Sequence, residues 1–285
     1  MRTSNILLVS LMLFAVTACT ERIDINVGST YTRLVVYGTI TTDTMAHQIC
    51  LSKSADYFSN KPIEKISGAK VTISDGTVVT LLHESATEPG VYETPSDFYG
   101  VPGRTYRLFV EQVDLGDGKF VSDSASSYLP KALPVDSIRV EQDDFYTEGW
   151  AVKLFAKDPE GEGNCYAFKT YINGKLDTDT LSNHTTTDDR FFDGNYTNGI
   201  TVFFYEDLEK IKYGDNVTLE TMMITRDYMD FITSVQTAVG GRDPLFSGPP
   251  ANITTNFKNG ALGFFTAYSL TRKSTIVKAP AVPKR

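Results

Sequence analysis

The feature that most constrains the fold is a succession of short segments in which apolar and polar residues alternate, separated by turn-forming dipeptides. Residues 69–74 alternate, Asp75-Gly76 follows, and residues 77–82 return, which is typical of a β-hairpin because glycine accepts a positive φ. Several short strands with this spacing occur between residues 32 and 130. The pattern predicts an antiparallel β-sandwich of immunoglobulin or transthyretin type over residues 32–130.

Two prolines, Pro130 and Pro134, precede a second series of strand-like segments, which predicts a C-terminal β-rich domain over residues 134–272 and a tail over 273–285. One stretch of this second part has helical periodicity instead. Its apolar residues recur at helical spacing, Thr225 can cap its first turn, and Gly240-Gly241 can end it. We therefore expect one amphipathic helix near 226–239, with an apolar stripe of Tyr228, Phe231, Ile232, Val235 and Val239. The predicted fold class is mainly β.

The first residues are typical of a targeting signal rather than of a part of the fold. Arg2 precedes an apolar run over residues 6–18, which is shorter than the roughly 20 apolar residues that a transmembrane helix needs. The run ends in Val16-Thr17-Ala18-Cys19, which resembles a bacterial lipobox. We interpret residues 1–18 as a lipoprotein signal peptide, Cys19 as the lipidated residue and residues 19–31 as a tether; a plain secretory signal is the alternative.

A lipidated Cys19 would carry more than one acyl chain, and such an anchor is stable. Because Thr20 rather than an aspartate follows the cysteine, the sorting rule of such lipoproteins indicates the outer membrane. The sequence leaves open whether the protein faces the periplasm or the exterior.

The charge balance argues against one class of partner. The chain has 27 Lys and Arg against 35 Asp and Glu, a net charge of −8, and it contains no basic run, so we expect no nucleic-acid partner. Apart from Cys19, the cysteines are Cys50 and Cys165, each within a strand pattern. Two separate thiols fit this placement better than a disulfide, although a disulfide stays open.

The order of several motifs resembles a known family. The motifs lie at residues 34–40, 67–73, 89–92, 102–106, 134–138 and 252–265. Together they resemble the Bacteroidota outer-membrane lipoprotein family catalogued as domain of unknown function 4249, over roughly residues 30–272. The resemblance implies a lipoprotein without assigned catalysis, and an accessory role beside a TonB-dependent receptor by analogy.

From these observations we expect a non-enzymatic binding or scaffolding protein, held to the membrane by its N-terminal lipid and needing no cofactor. The common catalytic motifs are absent from the sequence, which has only 3 histidines. A hydrolase acting on surface glycans or peptides is one alternative, and a structural or adhesive surface protein is another.

One loop has the composition of a site for a hard cation. Oxygen-bearing side chains alternate with glycines there, and such side chains are the ligands that Ca²⁺ prefers. The spacing lacks the twelve-residue pattern that ends in a bidentate glutamate, so a solvated hairpin turn is the favoured interpretation. The candidate ligands are Asp158, Glu160, Glu162 and Asn164.

A second loop combines aromatic, amide and carboxylate side chains within a polar stretch, residues 176–199, that we expect to be a long surface loop. Aromatic faces beside polar groups suit sugars or peptides, and binding residues often lie on loops of β scaffolds. The alternative is that the aromatic rings fold back onto the protein. The candidate ligand-binding residues are Phe191, Phe192, Asp193, Asn195 and Tyr196, with Asp188, Asp189 and Arg190 as charged neighbours.

Four Asp-Ser/Thr-apolar triplets resemble the O-glycosylation sequon of exported Bacteroidota proteins. Triplets this short also arise by chance. The hydroxyl residues concerned are Thr44, Ser124, Ser137 and Thr180.

Overall fold

In the computed structural model, the described residues are 32–55, 61–116, 118, 120–143, 148–240 and 253–279. The predicted signal peptide, Cys19, the tether and the end of the C-terminal tail lie outside them. The described residues are mainly β and carry one α-helix, so the predicted fold class is confirmed. Among them, no helix is both long and apolar enough to cross a membrane.

The first half of the chain supplies eight strands. Their alternating burial follows the alternation of the sequence, as in β7, where buried Tyr106, Leu108 and Val110 alternate with exposed residues. The strands are β1 (Leu34–Thr41), β2 (Gln48–Lys53), β3 (Lys70–Ser74), β4 (Val79–Leu81), β5 (His83–Glu84), β6 (Val91–Glu93), β7 (Thr105–Asp114) and β8 (Phe120–Tyr128).

The second half supplies eight more strands and the helix. The strands are β9 (Val135–Asp143), β10 (Gly149–Ala156), β11 (Cys165–Ile172), β12 (Lys175–Leu176), β13 (Thr185–Asp188), β14 (Ile200–Tyr205), β15 (Asn216–Ile224) and β16 (Leu262–Ile276). Helix α1 (Arg226–Val239) begins and ends within the predicted bounds. The Thr225 hydroxyl accepts a hydrogen bond from the amide of Tyr228, which is the expected N-cap.

The strands of the described residues form three sheets. A nine-stranded sheet has the order β12-β11-β15-β16-β1-β2-β6-β5, with β13 also paired to β11. A four-stranded sheet has the order β4-β3-β7-β8, and a three-stranded sheet has the order β14-β10-β9. The four-stranded sheet completes the sandwich of the first half, while the three-stranded sheet belongs to the second.

The last strand joins the two halves. β16 pairs with β15 on one side and, in parallel orientation, with β1 on the other, so that Val35 lies opposite Leu262 and Thr41 opposite Tyr268. A single sheet therefore runs through both halves of the chain. β16 is 15 residues long and ends at Ile276.

Each face of the large sheet is covered by different elements. Phe265 and Ala267 contribute to a core shared with the four-stranded sheet, and Leu219 and Met223 contribute to a core shared with the three-stranded sheet. Helix α1 packs on the opposite face, where its Tyr228 and other apolar residues meet residues such as Met222 and Phe264. The predicted apolar stripe is thus a packing surface at Tyr228, Phe231, Ile232 and Val235, whereas Val239 at the end of the helix is 67 % exposed.

Candidate functional site

The structure brings the two candidate loops together. The main-chain amide of Asp158 donates to the carbonyl of Asn195 at 3.0 Å, and the amide of Asp189 donates to the carbonyl of Asn164 at 3.1 Å. One carboxylate oxygen each of Asp158, Asp189 and Asp193 lies within 4.8 Å of the other two. We call these three residues the carboxylate cluster.

Of the four predicted cation ligands, the structure places only Asp158 in the carboxylate cluster. Asp158 is buried in the cluster, whereas Glu160 and Glu162 are exposed. The side-chain amide of Asn164 donates to the carbonyls of Pro159 and Gly161 and so fastens its own turn. The prediction from sequence assigned Asp189 to the aromatic loop, but its carboxylate lies beside that of Asp158. The residues that could hold a cation are therefore the carboxylate cluster.

Main-chain donors already occupy the cluster. Both oxygens of Asp189 accept from the amide of Gly163 at 3.0 Å, and Oδ2 also accepts from Asn164 at 2.9 Å. Asp193 Oδ1 accepts from Gly161 at 2.8 Å, and Asp158 Oδ2 accepts from Gly194 at 3.1 Å. Hydrogen bonds to a carboxylate favour its charged form and can replace a cation as its partner. The cluster therefore fastens the two loops to each other.

The surroundings of the buried Asp158 carboxyl disfavour its charged form. Burial raises its pKa, and the charges of Asp189 and Asp193 add to that rise, while hydrogen bonds from Tyr166 and Gly194 oppose it. The Tyr166 hydroxyl donates directly to Asp158 Oδ1. Because Tyr166 is buried, its hydroxyl depends on this carboxylate as its acceptor.

We expect Asp158→Ala to destabilise the fold by about 2–3 kcal/mol, because it leaves the Tyr166 hydroxyl and the Gly194 amide without their acceptor. Urea denaturation followed by circular dichroism measures the effect. The matched control is Glu162→Ala, whose exposed side chain should change the free energy of unfolding by less than about 0.5 kcal/mol. Equal and small effects of both variants would contradict a fastening role for Asp158.

The aromatic loop is held firmly but presents one ring to solvent. The amide of Phe192 donates to the carbonyl of Asp189 at 2.7 Å, and the amide of Asn195 donates to the carbonyl of Phe192 at 2.8 Å. The Phe192 ring packs on Tyr166, with 6.1 Å between the ring centroids. Phe191, in contrast, is 95 % exposed, and Tyr196 is 40 % exposed. One ring thus folds back onto the protein, and its neighbour points away from it.

Two ion pairs that share Asp188 link this loop to the helix. The buried Asp188 carboxylate bonds Arg190 Nε at 3.0 Å and Arg226 Nη1 at 2.9 Å. Burial alone would raise the pKa of Asp188, but the two guanidinium groups outweigh it and lower the pKa below its usual value. Because Arg226 is the first residue of α1, the loop is fixed to the helix as well as to β11.

The stretch over residues 176–199 is more ordered than expected. It contains β13, a single turn of 3₁₀ helix at Leu181–Asn183 and the hydrogen-bonded turns described above. Thr185 pairs with Phe168 and Asp188 with Cys165, so β13 continues the edge of the large sheet. Threonines suit a strand because their branched side chains fit the pleated surface, although the polarity of this stretch is also typical of a loop.

The histidines belong to different parts of the fold. His47 is buried beside Phe98 in the first half, and His184 is buried next to α1, where its carbonyl accepts from Gln236. Burial and the charge of Lys169 lower the pKa of His184 to about 4. His83 is followed by Glu84, whose carboxylate accepts from the amides of Gly68 and Gly90 and so holds two turns.

The remaining candidate positions lie on strands and turns. Thr44, Ser137 and Thr180 are exposed, whereas Ser124 is half-buried on β8. Its neighbour Asp123 is buried and accepts main-chain hydrogen bonds from the 258–261 segment. Cys50 on β2 and Cys165 on β11 are both free thiols.

A family model described as "Domain of unknown function (DUF4249)" matches residues 20–274. No curated protein matches the chain.

Proposed function

The chain belongs to the DUF4249 family, and from this premise we propose that it is an outer-membrane lipoprotein, anchored through Cys19, that acts as a non-enzymatic binding or scaffolding accessory. Its proposed partner is a TonB-dependent receptor. The proposal places the contact with the partner on the loop that carries Phe191.

The observation that carries this proposal is the exposure of Phe191 on a fixed loop. Its ring is 95 % exposed, although the residues on both sides are held by hydrogen bonds and packing. Aromatic residues dominate the energetics of protein interfaces, and a pre-ordered loop loses little conformational entropy on binding. A partner that covers this ring gains apolar burial without reorganising the loop.

The lipid supplies the second part of the mechanism. An anchor confines the protein to the plane of the membrane, so that its contact with a receptor in the same membrane is governed by a local concentration. A small interface can then suffice. No bond is made or broken in this role, which agrees with carboxylates such as Asp158, Asp189 and Glu84 being used to fasten loops.

Co-purification from detergent-solubilised outer membranes tests the proposal. We expect tagged wild-type protein to retain a TonB-dependent receptor, and Phe191→Ala to retain at least tenfold less because the interface loses its aromatic anchor. The matched control is Phe120→Ala, which removes a ring that is 72 % exposed on β8. Absence of any barrel protein with the wild-type chain, or equal recovery with both variants, would contradict the proposal.

The lipid anchor at Cys19 is tested separately from the contact at Phe191. Mass spectrometry of the mature protein should show loss of residues 1–18 and acyl chains on Cys19, and Cys19→Ser should leave the membrane fraction. An unmodified Cys19 thiol would contradict the lipid anchor, but it would not affect the test of the contact at Phe191.

A further inference from the structure

Strand β4 is an edge strand of the four-stranded sheet, and no other described strand pairs with its outer side. It pairs only with β3 in the strand order β4-β3-β7-β8 of the described residues. The register places Thr72 opposite Leu81, Ile73 opposite Thr80 and Ser74 opposite Val79. An edge strand of this kind offers unpaired main-chain groups to another chain.

The hydrogen bonds of the hairpin identify those groups. The amide of Leu82 donates to the carbonyl of Val71 at 2.9 Å, and the carbonyl of Val78 accepts from Asp75 at 3.2 Å. Main-chain groups in an antiparallel strand point to alternate sides, so residues 78, 80 and 82 address β3. The N–H and C=O groups of Val79 and Leu81 therefore point to the free edge.

The opposite edge of the same sheet, strand β8, is covered by the segment that contains Asn256 and Lys258. The carbonyl of Ser124 on β8 accepts from the amide of Lys258 at 3.1 Å, and the carbonyl of Ser126 accepts from Asn256 Nδ2 at 3.2 Å. Edge strands that face solvent usually carry charges, prolines or bulges that prevent pairing. Residues 77–81 read Thr-Val-Val-Thr-Leu and have none of these features.

The side chains at this edge are apolar and exposed. Val78 is 60 % exposed, Val79 66 % and Leu81 48 %. Val79 and Leu81 point to the outer face of the sheet, where Leu81 shares a cross-strand row with Thr72 and the 37 % exposed Phe109. β-branched residues on an unpaired strand favour extended pairing.

A pocket opens beside the edge, on the inner side of the strand. It has a volume of about 350 Å³, and its lining includes Ile73, Val78, Thr80, Phe98, Tyr99 and Tyr106. Thr80 lies opposite the buried Ile73, so both side chains point to this inner side. The volume lies within the range of small ligand pockets.

The edge and the pocket fit one kind of occupant. A strand that paired with β4 would place the side chain opposite Thr80 on the inner side, directly at the mouth of the pocket. The walls contributed by Phe98, Tyr99 and Tyr106 suit an aromatic or large aliphatic side chain. Arg104 in the lining is ion-paired with Asp75, so the charge of Asp97 favours a basic residue beside the inserted side chain. This combination of main-chain pairing and alternate side-chain pockets is the basis of β-strand addition.

We infer that the β4 edge is a docking site for an extended peptide segment of a partner protein, which adds a fifth strand to this sheet and inserts one aromatic or large aliphatic side chain into the adjoining pocket. This docking site shares no residue with the Phe191 loop, so it is a second contact in addition to the one proposed for that loop. Its main-chain donors and acceptors are those of Val79 and Leu81.

Peptide binding to the full mature chain tests the inference. The probe is a labelled seven-residue peptide of alternating threonine and valine, with a central phenylalanine and a lysine at each end. We expect binding by fluorescence polarisation in the micromolar to millimolar range. A peptide methylated at the two backbone nitrogens that face β4 should bind at least tenfold more weakly, because its donors are lost.

Val79→Pro is the decisive variant. Proline removes the outward N–H of residue 79 and leaves the bonds to β3, since proline is tolerated on edge strands where the N–H faces solvent. We expect at least tenfold weaker peptide binding with unchanged circular dichroism. Phe120→Ala, which removes another exposed ring, is the matched control and should bind as the wild type does.

Amide hydrogen exchange locates the bound peptide. At saturation, exchange at Val79 and Leu81 should slow at least tenfold, while the amide of Thr80, already bonded to β3, changes less. The inference is overturned by no binding at millimolar peptide, by equal binding to Val79→Pro, or by protection at other residues. A concentration-dependent dimer that Val79→Pro abolishes would assign the edge to a second copy and would also overturn it.

Discussion

Gly263→Ala should prevent stable folding of the chain. Gly263 has φ +91°, and a Cβ atom at this position would lie 2.1 Å from the carbonyl oxygen of Val36. Val36 lies opposite Gly263 in the parallel pair of β1 and β16, which joins the two halves of the protein. Because the obstacle is the main chain of β1 and not a flexible side chain, the clash is relieved only by separating β1 and β16. We expect a loss of more than about 4 kcal/mol in the free energy of unfolding.

The measurement is urea denaturation of the mature chain, or the yield of folded protein if the variant does not purify. Gly260→Ala is a matched control, since Gly260 also has a positive φ of +96° but its Cβ would meet nothing nearer than Arg33 Nη2 at 3.8 Å. That variant should lose only about 1 kcal/mol, from backbone strain. Similar losses in the two variants would show that backbone strain, and not the close approach to β1, decides the outcome.

Asp123→Ala should have the second-largest effect. The Asp123 carboxylate is 5 % exposed, and it accepts from the amides of Lys258 at 3.0 Å, Asn259 at 2.8 Å and Ala261 at 2.8 Å. These bonds hold the segment before β16 against β8. Removing the carboxylate leaves the buried Ala261 amide and the partly buried amides of Ser124 and Asn259 without this acceptor, whereas the Lys258 amide keeps its bond to the Ser124 carbonyl. We therefore expect a loss of about 3–5 kcal/mol.

Thermal and urea unfolding of Asp123→Ala measure this loss, and Asp114→Ala is the control. Asp114 accepts from the Gly116 amide in an exposed turn, so its removal should cost less than about 0.5 kcal/mol. Hydrogen exchange adds a local readout, since the amides of residues 258–261 should exchange faster in Asp123→Ala. A variant that unfolds like the wild type, with unchanged exchange there, would contradict this role of Asp123.

Both predictions concern the same long-range connection. Residues 252–265 supplied the longest of the motifs that carry the family resemblance. The described part of this segment explains its composition in physical terms: Asn256 bonds both main-chain groups of Phe265, and Gly263 permits the close approach of β1. The motif therefore has a structural role, because it lets the last strand, β16, pair closely with β1. We assign it no ligand.

The candidate site was only partly accessible from the sequence. The sequence indicates the aromatic residues and the acidic loop separately, because composition is a local property. It does not indicate that the two loops meet, since Asp158 and Asp189 are brought together only when β11 and its neighbouring turns have folded. Likewise, the sequence could not distinguish Phe191, which is exposed, from Phe192, which packs on Tyr166.

The sequence by itself determined the properties that depend on near neighbours. The hairpin turn at Asp75-Gly76, the alternation of buried and exposed residues in β7 and the bounds of α1 follow from residue spacing, turn chemistry and capping. Only the tertiary structure decided which strands meet: β16 with β1, the two loops at the carboxylate cluster, and β4 with an open side. Alternation specifies which face of a strand is buried, but the same apolar face can pair with many strands. The choice among them rests on contacts between residues far apart in the chain, such as Val36 and Gly263, which no local pattern records.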